Sequence, residues 1–498
     1  MKIKLILLWL IASTQLFGQF NINSVKFYGD SLNNNGTSFV KNNKFLWFVS
    51  TSDLGGNTHF ILTKIKTNLD TVFTKNITPN NTHYNPKIQI YNDTIYVAGY
   101  TNTQGLLDLE VIKLDTVGNI LQTTYFGGSS SDILEGFIID NFGNLVLSGK
   151  TVSSDFPCLG NSFQSLPPGP MDACLLKVNR NLNVLWSTYF GGASYDDSHT
   201  LTVDILGDIY IAGNTMSPNL PITSGAYQNT LGGGFDCYIA KFSKNGNLLH
   251  STFLGGSGTD EFLNLSVDGN KLYAVGYTNS NDFPGLTLTN GLDALISKLD
   301  TSLNFINSVN IGGSNQDIFN GISILNNRLL VVGETDSPDL TTINPIQALL
   351  SGSNDMLISV FDSNLTQLTT TYLGGTNYDV GFTSVYLDSI YILGRTQSSP
   401  FPFQSNSPYG SYDNIIIKLQ SSVYNYINEY TTPIIRIYPN PTKQIVNFGE
   451  VINNVEIYDY SGKLIKSEAN TDKIDIEWFS DGFYILKLDN TLYKVIKE

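Results

Sequence analysis

The chain has 498 residues, of which 14% are charged and 12% aromatic, enough apolar material for a large core. Its formal charge is −15, and loss of Lys2 and Lys4 with a leader leaves −17. So acidic a chain repels phosphate backbones, which argues against a nucleic-acid partner. The three cysteines are too few to build a disulfide framework.

Residues 1–18 read as a secretion signal: Lys2 and Lys4, the apolar run Leu5–Ala12, then a more polar stretch to Gly18. The run is short for a membrane span, so no transmembrane anchor is expected. No cysteine stands near the cleavage region, which removes the simplest route to a lipoprotein. Cys158 and Cys174 fall within one repeat and are candidates for pairing; with Cys237 they also read as buried free thiols.

From residue 20 to about 428 the chain is built from a repeat. Gly127-Gly128 with Asp132 returns as Gly191-Gly192 with Asp196 and as Gly255-Gly256 with Asp260. Gly312-Gly313 with Asp317 and Gly374-Gly375 with Asp379 follow. The spacing between successive pairs is nearly constant, and a long fixed period marks stacked supersecondary units. Each unit then carries an apolar stretch, a turn, a stretch ending in Gly-x-Thr, a loop, an Asp-led stretch and a last strand into the next glycine pair. That makes four short β segments per unit, the layout of a propeller blade. Two worn copies precede residue 126, one marked by Gly99-Tyr100-Thr101, the other by Ser50-Thr51. The expected fold is therefore all-β: a seven-bladed β-propeller over residues 19–430, then a separate module over 431–498. Closure of the ring falls to Asn21–Tyr28, with Ser422–Tyr430 as its competitor. The module holds about six expected strands, including a hairpin of Val455–Tyr458 with Leu464–Lys466, and fits a small immunoglobulin-like β-sandwich.

The repeats resemble the SBBP β-propeller family. They share Tyr-Phe-Gly-Gly, Gly-x-Thr, the loops Asp155-Phe156-Pro157 and Asp282-Phe283-Pro284, and the pairs Phe163-Gln164 and Tyr227-Gln228. The stretch 433–498 resembles the type A sorting domain of the type IX secretion system. The matching residues are Tyr438-Pro439-Asn440-Pro441, Gly462 within Ser461–Leu464, and Gly482 within Asp481–Lys487. This second resemblance implies the type IX machinery as a partner and a protein secreted or attached to the outer-membrane surface.

Asp132, Asp196, Asp260, Asp317 and Asp379 admit two readings. As calcium ligands they would need several oxygens about one ion; as turn caps they would accept N–H bonds from the glycine turns. The isolation of each from the others favours the cap, and no cofactor is expected. Asp172, Asp236, Asp293, Asp355 and Asp413 recur too regularly for catalytic acids and read as strand-start caps. His59, His83, His199 and His250 stand alone, without metal or triad spacing. No nucleophile elbow or phosphate loop appears, so the chain does not read as an enzyme. A catalytic reading would need a non-repeated acid–base group at one end of the axis.

The asymmetry lies in the loops after Gly-x-Thr. In the last five units they run over 152–171, 216–235, 279–292, 336–354 and 397–412. In the first two they are much shorter, only 52–58 and 102–107. Long loops on a rigid scaffold suit recognition of a glycan or protein. Phe156, Phe283 and Phe401 read as plugs between blades, while Tyr227, Tyr409 and Tyr412 are the candidate contacts. The sequence thus favours binding or adhesion, over an extracellular polysaccharide-processing enzyme or a structural surface component.

Overall fold

The structure is a computed structural model that describes residues 20–29, 34–42, 44–54, 56–78, 81–103, 105–286, 291–406, 408, 410–421, 442–459, 463–488 and 491–497. The leader 1–18, Tyr409, Tyr438–Pro441, Gly462 and the stretch 422–430 lie outside the described residues. The chain divides into two compact units, residues 1–423 and 424–498. The described residues form strands and turns, with no helix.

In the first unit the described strands form seven four-stranded antiparallel sheets. The third sheet is representative: Asp132–Ile139, Leu145–Thr151, Asp172–Val178 and Val184–Phe190 pair in chain order. Its second strand is buried at every residue except Lys150, as a Val/Leu-rich strand covered on both faces should be. The leading strand takes a one-residue bulge between Leu134 and Gly136, which bends it and re-aims Glu135. Equivalent shifts interrupt the leading strands at Phe262/Asn264, Phe319/Gly321 and Gly381/Thr383.

The hydrophobic clusters lie between consecutive sheets, so each sheet needs its neighbours for a core. One joins Leu109 and Phe126 of the second sheet to Leu134, Leu147 and Tyr189 of the third. Another joins Tyr391 and Ile416 of the seventh sheet to Phe39 and Phe48 of the first. The leading strands also touch one another in chain order, and Asp379–Tyr386 of the seventh touches Asn34–Lys41 of the first. At the opposite ends of the strands, buried or half-buried lysine amines stitch sheet to sheet. Lys177 Nζ donates to Lys244 O at 3.1 Å, Lys298 Nζ to Ser363 O at 2.6 Å, and Lys418 Nζ to Thr67 O at 2.9 Å. The last of these links the seventh sheet to the first.

The seventh sheet takes its outer strand from the start of the chain. Phe20–Tyr28 pairs antiparallel with Asp413–Ser421, from Phe20 opposite Ser421 to Tyr28 opposite Asn414. The loop before Asp413 treats it as an outer strand too, for Ser405 N–H donates to Val25 O at 2.9 Å. Loops of other sheets bond to their own fourth strands alike, as where Tyr189 N–H donates to Gln164 O at 3.1 Å.

In the second unit the described residues form one four-stranded sheet. The sequence led to about six short strands, but two long ones replace several of them. Ile445–Tyr458 runs 14 residues, with its register broken between Asn447 and Ile452, and Leu464–Asp475 runs 12. The expected hairpin is present, with Ile457 opposite Lys466.

Candidate functional site

Antiparallel order puts the start of each first and third strand and the end of each second and fourth strand on one face. The glycine pairs, the Gly-x-Thr marks and the long loops therefore share that face. Its most regular feature is a carboxylate knot. Asp196 Oδ2 accepts Gly192 N–H at 2.7 Å and the Ser217 hydroxyl at 2.8 Å, while Oδ1 accepts the Thr215 hydroxyl. Asp132, Asp260, Asp317 and Asp379 repeat the Oδ2 contacts at 2.7–2.9 Å, with Ser153, Ser280, Ser337 and Ser398 in place of Ser217. All five are fully buried, and burial raises their pKa values against the pull of these donors. Protein donors fill Oδ2 of each carboxylate, which supports the cap reading. Among the described residues no group of three or more His, Cys, Asp or Glu side chains is arranged so that it could hold a metal ion.

The second set of aspartates also meets turn amides. Asp236 accepts Gly232 N–H at 2.5 Å and Gly233 N–H at 2.9 Å; Asp355 accepts Ser351 N–H at 2.8 Å. Their lysines point elsewhere: Lys177 pairs with Asp140 at 2.9 Å at the far end of the sheet.

Of the loop residues, Phe156, Phe283 and Phe401 are buried. Tyr227 is half exposed, its ring stacked on Phe305 at 4.7 Å. Tyr412 lies against the Arg395 guanidinium at 4.9 Å. The three cysteines are free.

The sequence reading missed the middle residue of Gly-x-Thr. In chain order that position holds Thr51, Tyr100, Lys150, Asn214, Tyr277, Glu334 and Arg395, each half-buried between two buried neighbours. The flanking residues recur because they pack; the middle ones differ from sheet to sheet and reach toward the leading strands. Histidines that stand alone in the sequence find partners here, because strand pairing joins residues far apart in the chain. His83 Nδ1 lies 2.8 Å from Glu110 Oε2 in a buried pair. His199 Nε2 lies 3.0 Å from Glu261 Oε1 and 3.8 Å from Asp197 Oδ2.

Around His199 the contacts run across three sheets. Lys150 Nζ binds Asp197 Oδ2 at 2.7 Å, and Tyr277 donates to Glu261 Oε2. In the third sheet the bulged Glu135 accepts Asn85 Nδ2 at 2.9 Å. Burial raises the Glu135 pKa, opposed by Lys87, and lowers the Lys87 pKa, opposed by Glu135. Tyr100 is pushed up to about 12 by burial and then by Glu135 and Tyr84. Across the face, Glu334 Oε2 accepts Asn354 Nδ2 at 2.8 Å and the Tyr378 hydroxyl. The Arg395 guanidinium there sits among the rings of Tyr378, Phe382 and Tyr412. Chemically, the face offers alternating donors and acceptors beside aromatic rings.

Comparison with known proteins bears on the scaffold and the tail. Residues 185–221 match a beta-propeller repeat family, and residues 436–498 match a secretion system C-terminal sorting domain. The chain thus carries one matched beta-propeller repeat and a secretion system C-terminal sorting domain. It is secreted or attached to the outer-membrane surface, and its tail engages the type IX machinery. No helix among the described residues is long and apolar enough to cross a membrane. No curated protein matches the chain. Among solved structures, Sqt1 from Chaetomium thermophilum is 9% identical with TM-score 0.42, covering 75% of this chain and 96% of its own. The polysaccharide lyase Uly1 is 10% identical with TM-score 0.42, covering 78% and 91%. The beta-propeller domain of the Trilobed protease from Pyrococcus furiosus is 9% identical with TM-score 0.41, covering 83% and 98%.

Proposed function

We propose that this chain is a seven-bladed propeller that binds an extracellular glycan or protein as an adhesion scaffold at the cell surface. The leader is residues 1–18, the propeller 19–430 and the sorting module 431–498. Closure into one ring is supported by the outer strand that Phe20–Tyr28 lends to the seventh sheet, and by the Lys418 stitch to the first. An immunoglobulin-like sandwich for the module is supported by its core, which draws on both halves of the interrupted strand through Val446, Phe448, Val455 and Ile457.

One observation carries the binding reading. A scaffold that repeats its packing residues faithfully carries unlike side chains at the half-buried x positions from Thr51 to Arg395. Packing has no use for such variety, whereas an asymmetric ligand does. A polysaccharide-processing enzyme is the second reading, favoured by the non-repeated His199, Glu261 and Asp197 that the fold brings together. A glycan array with the mature protein, and an activity screen on the polysaccharides it retains, tests both. Retention without turnover fits the scaffold; turnover transfers the function to the second reading; capture of no glycan or extracellular protein removes both.

A further inference from the structure

The face opposite the glycine pairs is made by the turns joining first to second and third to fourth strands. Two adjoining cavities of about 490 and 480 Å³ open there, walled by the second, third and fourth sheets. Phe142 and Asn144 line both, with Trp186 and Lys244 in the first and Tyr91 and Arg180 in the second. Phe142 is 44% exposed, so its ring is open to a ligand. The loop 152–171 reaches down to the first cavity, where Asn161 Nδ2 donates to Asn245 O at 3.0 Å. No Asp or Glu lines either cavity among the described residues.

Packing does not explain the two cations. In five sheets the residue at the Arg180 place offers its carbonyl to a lysine of the neighbouring sheet: Thr67, Arg180, Lys244, Thr301 and Ser363. That contact uses backbone alone, and a small hydroxyl side chain accompanies it in three of the five. Arg180 and Lys244 carry charge instead, and they form no ion pair among the described residues. Carboxylates nearby are already engaged, Asp140 by Lys177 at 2.9 Å and Asp208 by Lys241 at 3.2 Å. In a chain of net charge −15, this is a local excess of positive charge.

Each cation is held beside an aromatic ring. The Arg180 guanidinium lies 5.5 Å from the Tyr91 ring centroid, and the Lys244 amine 5.5 Å from that of Phe142. The remaining walls are rich in amides, Asn181 and Asn245 among them, each both donor and acceptor. Unpaired cations answer carboxylate or sulfate groups, an open ring covers the apolar face of a sugar, and amides meet its hydroxyls. An acidic peptide brings carboxylates but neither the ring hydroxyls nor the flat face. We propose that the two cavities bind an acidic saccharide, Arg180 and Lys244 pairing with its anionic groups and Phe142 covering a sugar ring. The site is separate from the x positions of the loop face, so it extends the binding reading without depending on it.

The test titrates the mature full-length protein calorimetrically with hexagalacturonate and hexamannuronate, which carry carboxylates, and with a heparin hexasaccharide, which adds sulfates. Cellohexaose and a hexaglutamate peptide serve as the neutral and the peptide probe. At least one acidic saccharide should bind, about tenfold or more above cellohexaose, and binding by heparin alone assigns sulfate as the anion. Arg180→Gln and Lys244→Gln should each weaken it by about tenfold, and Phe142→Ala by about threefold or more. Ile306→Ala, on the outer strand of the fifth sheet, should leave it unchanged. Melting curves that match the parent certify each variant as folded. Equal or stronger binding of cellohexaose or hexaglutamate overturns the site, as does equal binding by parent and the three cavity variants. Binding lost with Arg395→Gln but kept in those variants places the ligand on the loop face, which overturns this site and supports the reading above. If no acidic saccharide binds while another glycan or a protein is captured, the site fails and the scaffold reading stands.

Discussion

Asp172 and Asp196 belong to consecutive sheets, yet their carboxylates flank one residue, Gly191. A Cβ on Gly191 would lie 2.2 Å from Asp172 Oδ1 and 2.9 Å from Asp196 Oδ2. The arrangement recurs at Gly127 between Asp108 and Asp132, and at Gly374 between Asp355 and Asp379. It ties the two sets of repeated aspartates, which look independent in the sequence, into pairs across the junctions between sheets.

The pairing gives the protein a pH dependence of definite sign. Burial, helped by Asp196, pushes the Asp172 carboxyl up to about 7, against the Gly169 N–H bond. Burial likewise pushes Asp355 up to about 6. An unfolded aspartate releases its proton near about 3.9, so between these values the native state holds protons that the unfolded chain has lost. Stability from these groups is therefore complete below the unfolded value and is lost as pH rises through the native ones. The melting temperature should fall between about pH 5 and pH 8, and fall less in Asp172→Asn, which imitates the protonated acid. A parent profile that rises over this range would refute the assignment.

The same junction should reject any side chain on its glycine. Gly191→Ala forces a Cβ against two short, buried carboxylates and should destabilise by about 1–3 kcal/mol. Gly234 offers a control, since its Cβ would meet nothing within 4 Å. Gly234→Ala should shift stability by no more than about 0.5 kcal/mol. Chemical denaturation of the two variants beside the parent reads the contrast, and equal midpoints would show that the carboxylates move aside freely.

Much of the scaffold was legible because packing repeats. The glycine pairs, the Gly-x-Thr marks and their regular period each state the same requirement several times. The outer strand from the start of the chain was readable in Asn21–Tyr28, which imitates the strands that elsewhere precede a glycine pair. The candidate site was not legible, and for the converse reason. Lys150, Asp197, His199, Glu261 and Tyr277 follow no pattern, and three sheets must meet before they do. The signal available was a departure: after the repeated aspartates Ile133, Ile318 and Val380 are apolar and β-branched, whereas Asp197 and Glu261 in the same place are acidic. In the tail, short apolar segments concealed long strands, since the register break within Ile445–Tyr458 leaves no mark that a turn would not also leave.

Asp196 distinguishes a structural knot from a metal site. Its carboxylate receives Gly192 N–H, the Ser217 hydroxyl and the Thr215 hydroxyl, three donors that Asp196→Ala would strand in a buried place. Each unmet buried donor costs about 1–3 kcal/mol, partly relieved where water enters, so a loss of about 2–4 kcal/mol is expected. If the knot is complete in itself, the parent's melting temperature should not respond to millimolar calcium or to chelator. A calcium ion bound only by the folded state would instead stabilise by mass action, and chelation would lower the melting temperature. The decisive comparison is between the two proteins. A chelator-induced drop in the parent that shrinks in Asp196→Ala would make this carboxylate a calcium ligand, whereas no drop in either leaves it a cap for the turn between sheets.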